Sequence, residues 1–241
     1  MLNKILIPRP SYMPKYWPVP SDCVLYLEGQ TDGESATVKD LSGLGYHGTK
    51  DTITNSRTDG GLNTWSFDGA NSWIGATVAN WRSTDSAGSI VAWIKPTAVA
   101  NAQTIFASCD TLGNSYKFWF DIYDSTLRIL QKNNDVQDYC ATTEAPTAGV
   151  WQLVTLTSSG TAWQIYRNKT ALTMNVGGGS NSGDWFAETI NRDVWSVGIR
   201  KQNVEDEAFL GSMALVRVYS SALSPTQING IYDRERHLFG V

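Results

Sequence analysis

Residues 89–94, Ser-Ile-Val-Ala-Trp-Ile, restrict this chain more than any other stretch. Ile90, Val91 and Ile94 are β-branched and Trp93 is aromatic, so the segment reads as a strand, preceded by Gly88 and closed by Pro96. Alternation puts Ile90, Ala92 and Ile94 on one face and Val91 and Trp93 on the other. Both faces are apolar. Such a strand belongs in the middle of a sheet with a layer packed on each side.

The remaining segments repeat a strand–turn rhythm. Strands are expected at residues 23–28, 64–68, 72–75, 104–108, 116–123, 127–130, 136–141, 151–157, 162–167, 172–176, 194–200, 209–210 and 213–219. The pair 64–68 and 72–75 reads as a hairpin around Asp68-Gly69. Another hairpin closes around Ser158, Ser159 and Gly160. One helix is expected, at the end. Ser224-Pro225-Thr226-Gln227 is a capping box with proline in the first turn, and Ile228, Ile231 and Tyr232 form one apolar stripe. Dense strands without βα alternation imply an all-β, two-sheet antiparallel sandwich. The 241 residues suffice for one large β domain.

Five of the eight prolines, Pro8, Pro10, Pro14, Pro18 and Pro20, fall within residues 8–20, with Tyr12, Tyr16 and Trp17 among them. Proline fixes φ and removes a donor, so residues 1–21 read as an extended N-terminal arm. Its aromatics suit docking to a partner, with Tyr12, Tyr16 and Trp17 as contacts. The domain proper is assigned to residues 22–241. The net charge is −4 and no basic run occurs, so nucleic acid is not an expected partner. No apolar run is long enough for membrane insertion, and Ile5, Leu6 and Ile7 are too few for a signal-peptide core, so export by its own signal is not expected. Cys23, Cys109 and Cys140 are an odd set without metal-like spacing and read as free thiols.

Several motifs in order resemble a known family. Asp40-Leu-Ser-Gly-Leu-Gly-Tyr-His-Gly-Thr49 resembles the D-L-S-G-N-G-x-H-G-T segment of laminin-G-like domains in the concanavalin A-like lectin/glucanase superfamily. Ser66-Phe-Asp-Gly-Ala-Asn-Ser-Trp73 is similar to their S-F-D-G-x-x-D-Y. Residues 89–96 are similar to S-x-S-A-W-V-K-P. Residues 151–156, 163–168, 197–200 and 211–223 match further motifs in the family's order. The resemblance covers residues 22–235 and implies a jelly roll with carbohydrate binding as its commonest role.

It also implies what to look for. The glucanase branch carries its acids on one strand as E-x-D-x-x-E, and that pattern is absent. Asp121 with Asp124, and Glu205 to Glu207, read instead as solvated surface. Catalysis is therefore not expected. Calcium is common in the family, and the expected cofactor is calcium or none; Glu28 and Asp40 are the candidate ligands, while Ala214 stands where the family has an acid. His47 reads as a turn hydrogen-bonder. Tryptophans inside strands (Trp93, Trp151, Trp163, Trp195) are expected in the core. The loop-like aromatics Trp81, Tyr139, Trp185 and Phe186 are the candidate sugar-stacking residues.

Two roles fit. One is a non-catalytic surface protein of a virion or other assembly, as in phage particles that carry this fold. It would be attached through residues 1–20, displayed on the virion surface, able to form a homo-oligomer and able to bind glycans. The alternative is a soluble lectin module, with a glycan-cleaving enzyme third.

Overall fold

The computed structural model describes residues 20–29, 35–58 and 60–241. The proposed arm contacts Tyr12, Tyr16 and Trp17 lie outside them. In chain order the strands are β1 (Cys23–Leu27), β2 (Thr37–Val38), β3 (Gly48–Asp51), β4 (Thr54–Arg57), β5 (Asn63–Asp68) and β6 (Trp73–Thr77). Next come β7 (Gly88–Pro96), β8 (Gln103–Cys109), β9 (Lys117–Tyr123), β10 (Thr126–Asn133), β11 (Val136–Thr142) and β12 (Gln152–Ser158). The last are β13 (Trp163–Arg167), β14 (Thr170–Ala171), β15 (Met174–Gly178), β16 (Val194–Val197) and β17 (Leu210–Tyr219), followed by helix α1 (Pro225–Glu235).

They form two antiparallel sheets. The first runs β14-β13-β12-β7-β17-β5-β4, with β1 added along β17; the second runs β15-β11-β10-β9-β8-β16-β6-β3-β2. Together they make the jelly-roll sandwich. β7 lies inside the first sheet, between β12 and β17. Its Ile90, Ala92 and Ile94 enter the main core between the sheets with Phe106, Phe118 and Phe120. Its other face, Val91 and Trp93, packs with Leu153, Ile228, Ile231 and Phe239 under the C-terminal helix. The two-faced apolar strand thus has a sheet on one side and a helix on the other.

The helix is docked as well as covered. Ser224 caps it by accepting from the Gln227 amide, and Gln227 reaches back to the cap. At its other end the Glu235 carboxylate accepts from Trp93 Nε1 at 2.7 Å and pairs with Arg217 at 2.6 Å. The Trp93 ring stacks on Phe239 at 4.1 Å between centroids and on Tyr232 at 5.7 Å.

Two expectations are corrected. β5 and β6 do not form a hairpin: β5 pairs with β4 and β17, β6 with β3 and β16. The turn between them crosses from one sheet to the other, with Asp68 accepting the amides of Ala70, Asn71 and Ser72. The glycines at 177 and 178, expected to end a strand, belong to β15.

Candidate binding face on the second sheet

The candidate sugar-stacking residues of the loops are in the core. Trp81 is 1% exposed, and Trp185 and Phe186 are 0%. Trp81 packs on Phe106, Phe186 and Trp195, and Phe118 meets both Trp185 and Phe186 edge-on. None offers a ring face to a ligand, which corrects their assignment as a binding site. Their loops turn inward because Arg192 pulls them together. Its buried guanidinium donates to the carbonyls of Trp81, Phe186 and Thr189 and to Ser108 Oγ. All four acceptors are neutral, and burial lowers its pKa to about 10. Tyr139, the fourth candidate, is half-buried on a different surface. Trp93, Trp163 and Trp195 are core residues as expected, while Trp151 is half-buried.

The calcium assignment does not fit Asp40. Oδ1 accepts the amides of Tyr26 at 3.0 Å and Ser42 at 2.9 Å. Oδ2 accepts Ser42 Oγ at 2.8 Å and the Tyr46 amide at 3.0 Å. Both oxygens are filled by donors, so Asp40 organises the turn of residues 40–47, and a cation would have to displace them. His47 Nδ1 closes the same turn by accepting the Asp40 amide at 3.0 Å. Glu28 is buried at the end of β1. Among the described residues no three His, Cys, Asp or Glu side chains form a metal-binding group.

The outer face of the second sheet, covered in part by residues 200–207, holds the chemistry. On β9, Phe118, Phe120 and Ile122 point into the core, so Lys117, Trp119, Asp121 and Tyr123 point out. Arg128, Leu130 and Lys132 of β10 lie beside them, Arg128 opposite Asp121, Leu130 opposite Trp119 and Lys132 opposite Lys117. Ala107, Cys109, Trp119, Leu130 and Val194 make a small apolar floor on this face. Tyr139 of β11 packs against it, with its ring lying on the backbone of Gly177 and Gly178 in β15. Any Cβ at those glycines would occupy the ring's place.

A chain of ion pairs crosses the floor. Arg128 grips both oxygens of Asp121, at 3.1 and 2.5 Å, and lies 3.9 Å from Glu207. Arg200 pairs with Glu207 at 2.9 Å and with Asp206 through Nε at 2.7 Å. Arg200 and Asp206 also exchange backbone hydrogen bonds, and the Glu207 carbonyl accepts the Thr104 amide at 2.7 Å. Residues 200–207 are therefore a strap folded onto the sheet. Cations sit over rings: Arg200 over Trp119 at 4.3 Å, Lys117 over Trp119 at 4.6 Å and Arg128 over Tyr123 at 3.7 Å.

This corrects the reading of Asp121 and Glu207 as solvated acids. Asp121 is 0% exposed. Burial raises its pKa to about 7 against the downward pull of Arg128, and burial also raises that of Glu207. Lys117 is lowered to about 8, first by burial and then by Arg200 and Lys132. Both Asp121 oxygens are held by Arg128 and Glu207 Oε1 by Arg200, while Glu207 Oε2 is buried without a hydrogen-bond partner, 3.9 Å from Arg128. The arrangement suits binding: a floor, aromatic edges and fixed charges. The signal was in the sequence. A turn at Asp124-Ser125 makes Tyr123 face Thr126, which counts back to Asp121 opposite Arg128.

A shallow cleft of about 240 Å³ lies by the first sheet, lined by Arg57, Thr58, Lys95, Trp151 and Phe239 among others. It is separate from the outer face of the second sheet.

Residues 68–229 match the family model of the concanavalin A-like lectin/glucanases superfamily. That is more than half the chain, and the protein belongs to this superfamily. A search of curated sequences finds no match. Among solved structures, the chain is similar to domain 4 of AbnA, a GH43 extracellular arabinanase from Geobacillus stearothermophilus, in complex with arabinotriose. That likeness has TM-score 0.65 and 17% identity and covers 88% of this chain and 98% of that one. The chain is also similar to the receptor binding domain of botulinum neurotoxin D, with TM-score 0.62 and 15% identity over 90% of this chain and 54% of that one. The binding domain of botulinum neurotoxin DC in complex with rat synaptotagmin II gives TM-score 0.63 and 14% identity, over 90% and 52%. The chain spans about half the length of the toxin domains. At these identities the likeness shows the fold.

Proposed function

We propose that the protein is a non-catalytic glycan-binding module and that sugar binds on the outer face of its second sheet. One observation carries the reading: this face presents Tyr123 and the half-buried Tyr139 beside Arg128 and Lys132, over a floor in which Trp119 is buried under Arg200 and Lys117. Tyr123 is 45% exposed and its ring is stacked by Arg128, which fixes it as a platform for sugar C–H faces. The superfamily membership and a neighbour whose structure holds arabinotriose support the same ligand class. The test is a glycan array with the intact protein, repeated with a chelator, and with Tyr123→Ala and Tyr139→Ala. Binding to a sugar class that either substitution weakens about tenfold supports the proposal. Binding that neither substitution changes removes this face as the site.

A second reading concerns where the module works. The proline and aromatic content of residues 1–21 favours attachment of the module to a virion or another assembly through that segment. Deleting residues 1–20 should abolish incorporation while leaving glycan binding intact. Normal incorporation of the truncated chain refutes it.

A further inference from the structure

The smaller core under the C-terminal helix comes to the surface at one end. Trp93 is fully buried and stacks on Phe239 at 4.1 Å, and Phe239 meets Trp151 at 4.8 Å. Along that row burial gives out. Trp151 is half-buried, and Val150 before it is 45% exposed. The row opens into the cleft of about 240 Å³ beside the first sheet. Val150, Trp151 and Phe239 are its apolar part, and Arg57, Thr58 and Lys95 line it with polar groups.

The charges there have one sign. Arg57 ends β4 and Lys95 stands on β7, and β5 and β17 lie between those strands, so the two cations reach one cleft from well-separated positions in the sheet. Both are exposed. Among the described residues no Asp or Glu lines the cleft, and no carboxylate oxygen lies within 4.0 Å of either cation. Other surface cations have partners: Arg82 has Asp85, Lys169 has Asp233 and Lys201 has Glu205. The net charge is −4, so an unmatched positive pair is a local feature of this cleft and not of the whole surface.

Size and layout choose the kind of ligand. Sites that enclose a small molecule measure about 300–1,000 Å³. This cleft is smaller, and its cations stand in water instead of at the bottom of a cavity. An aromatic centre with charges at the rim is how a protein interface holds one anchoring side chain. We infer that the cleft docks an acidic segment of a partner protein. One apolar side chain of the partner lies against Trp151 and Val150, and carboxylates on either side of it meet Arg57 and Lys95. The cleft belongs to the first sheet and is independent of the proposed glycan face on the second.

The test is an NMR titration of the intact protein with short synthetic peptides, followed at the Trp151 indole and at the backbone amides of Arg57 and Lys95. One peptide carries a phenylalanine between pairs of glutamates. The others replace the glutamates with lysines or glutamines, or the phenylalanine with serine. The glutamate–phenylalanine peptide should bind at least about tenfold tighter than the lysine peptide, and about threefold or more tighter than the other two. Trp151→Ala should weaken it about thirtyfold, the size of a hot-spot loss. Trp151 also packs on Phe239, so a second variant avoids the core: Arg57→Glu with Lys95→Glu changes only exposed, unmatched side chains. That double variant should melt with the wild type, bind glycan as the wild type does and lose the acidic peptide entirely. Lys169→Met, outside the cleft, should lose nothing. Lysine and glutamate peptides binding alike, binding that the double variant keeps, or shifts confined to residues outside the cleft each overturn the inference. So does the absence of any shift at about 1 mM peptide. Self-association in sedimentation equilibrium that the double variant abolishes would give the cleft to a second copy of this chain, and would overturn it as well.

Discussion

Replacing Glu235 with alanine should be among the most damaging single changes outside the sandwich core. Glu235 and Arg217 are both buried under the last helix, joined at 2.6 Å, and the same carboxylate oxygen accepts from Trp93 at 2.7 Å. Alanine leaves the Arg217 guanidinium without its counter-charge in a site that water hardly reaches. Breaking a buried pair by removing one partner costs about 3–5 kcal/mol, and the stranded Trp93 donor is part of that loss. For a domain of this size each kcal/mol moves Tm by about 2–4 °C, so Tm should fall by about 6–20 °C. Removing both charges is different. Arg217→Met with Glu235→Leu fills the volume with apolar atoms and should recover most of the loss, since apolar replacement of a buried pair is often neutral. The assay is urea and thermal unfolding of the wild type, both single variants and the double variant, followed by tryptophan fluorescence. The reasoning is refuted if Glu235→Ala costs less than about 1 kcal/mol, the range of an exposed pair, or if the double variant is as unstable as the sum of the singles.

Other outcomes follow from the same geometry. Arg192→Met strands the carbonyls of Trp81, Phe186 and Thr189, and should cost about 3 kcal/mol or more in urea unfolding. Asp40→Ala removes four hydrogen bonds from the 40–47 turn and should lower Tm. A chelator should leave the wild-type Tm unchanged, because those oxygens are already filled. Asp121 has a folded pKa raised to about 7 from an ordinary 3.8, so its contribution to stability is full below that ordinary value and is lost as pH rises through about 7. Asp121→Asn should flatten the stability profile over that window in pH-stepped urea melts. An unchanged slope would remove Asp121 as its source.

What the sequence revealed and hid follows from how local each interaction is. β7 was legible because both its faces are written in six residues. The Ser224–Gln227 cap was legible because it is complete within four. Tryptophans in strands were sorted correctly where alternation applies, as for Trp93, Trp163 and Trp195. Trp81, Trp185 and Phe186 were misplaced because their loops fold inward on Arg192, over a hundred positions from Trp81 along the chain. The polar strands β3 and β4 gave no apolar signal at all. The proposed binding face stayed hidden because β9 carries aromatics on both sides. Phe118 and Phe120 mask the outward alternation of Lys117, Trp119, Asp121 and Tyr123, and the strap that meets them comes from residues 200–207.

The account stands or falls on where sugar binds. The most direct measurement is backbone hydrogen exchange of the intact protein with and without a saturating glycan identified on the array. The account predicts new protection in residues 117–142 and in the strap, 200–207. Protection confined to the cleft of Arg57, Lys95 and Trp151, with the second sheet unchanged, would contradict it.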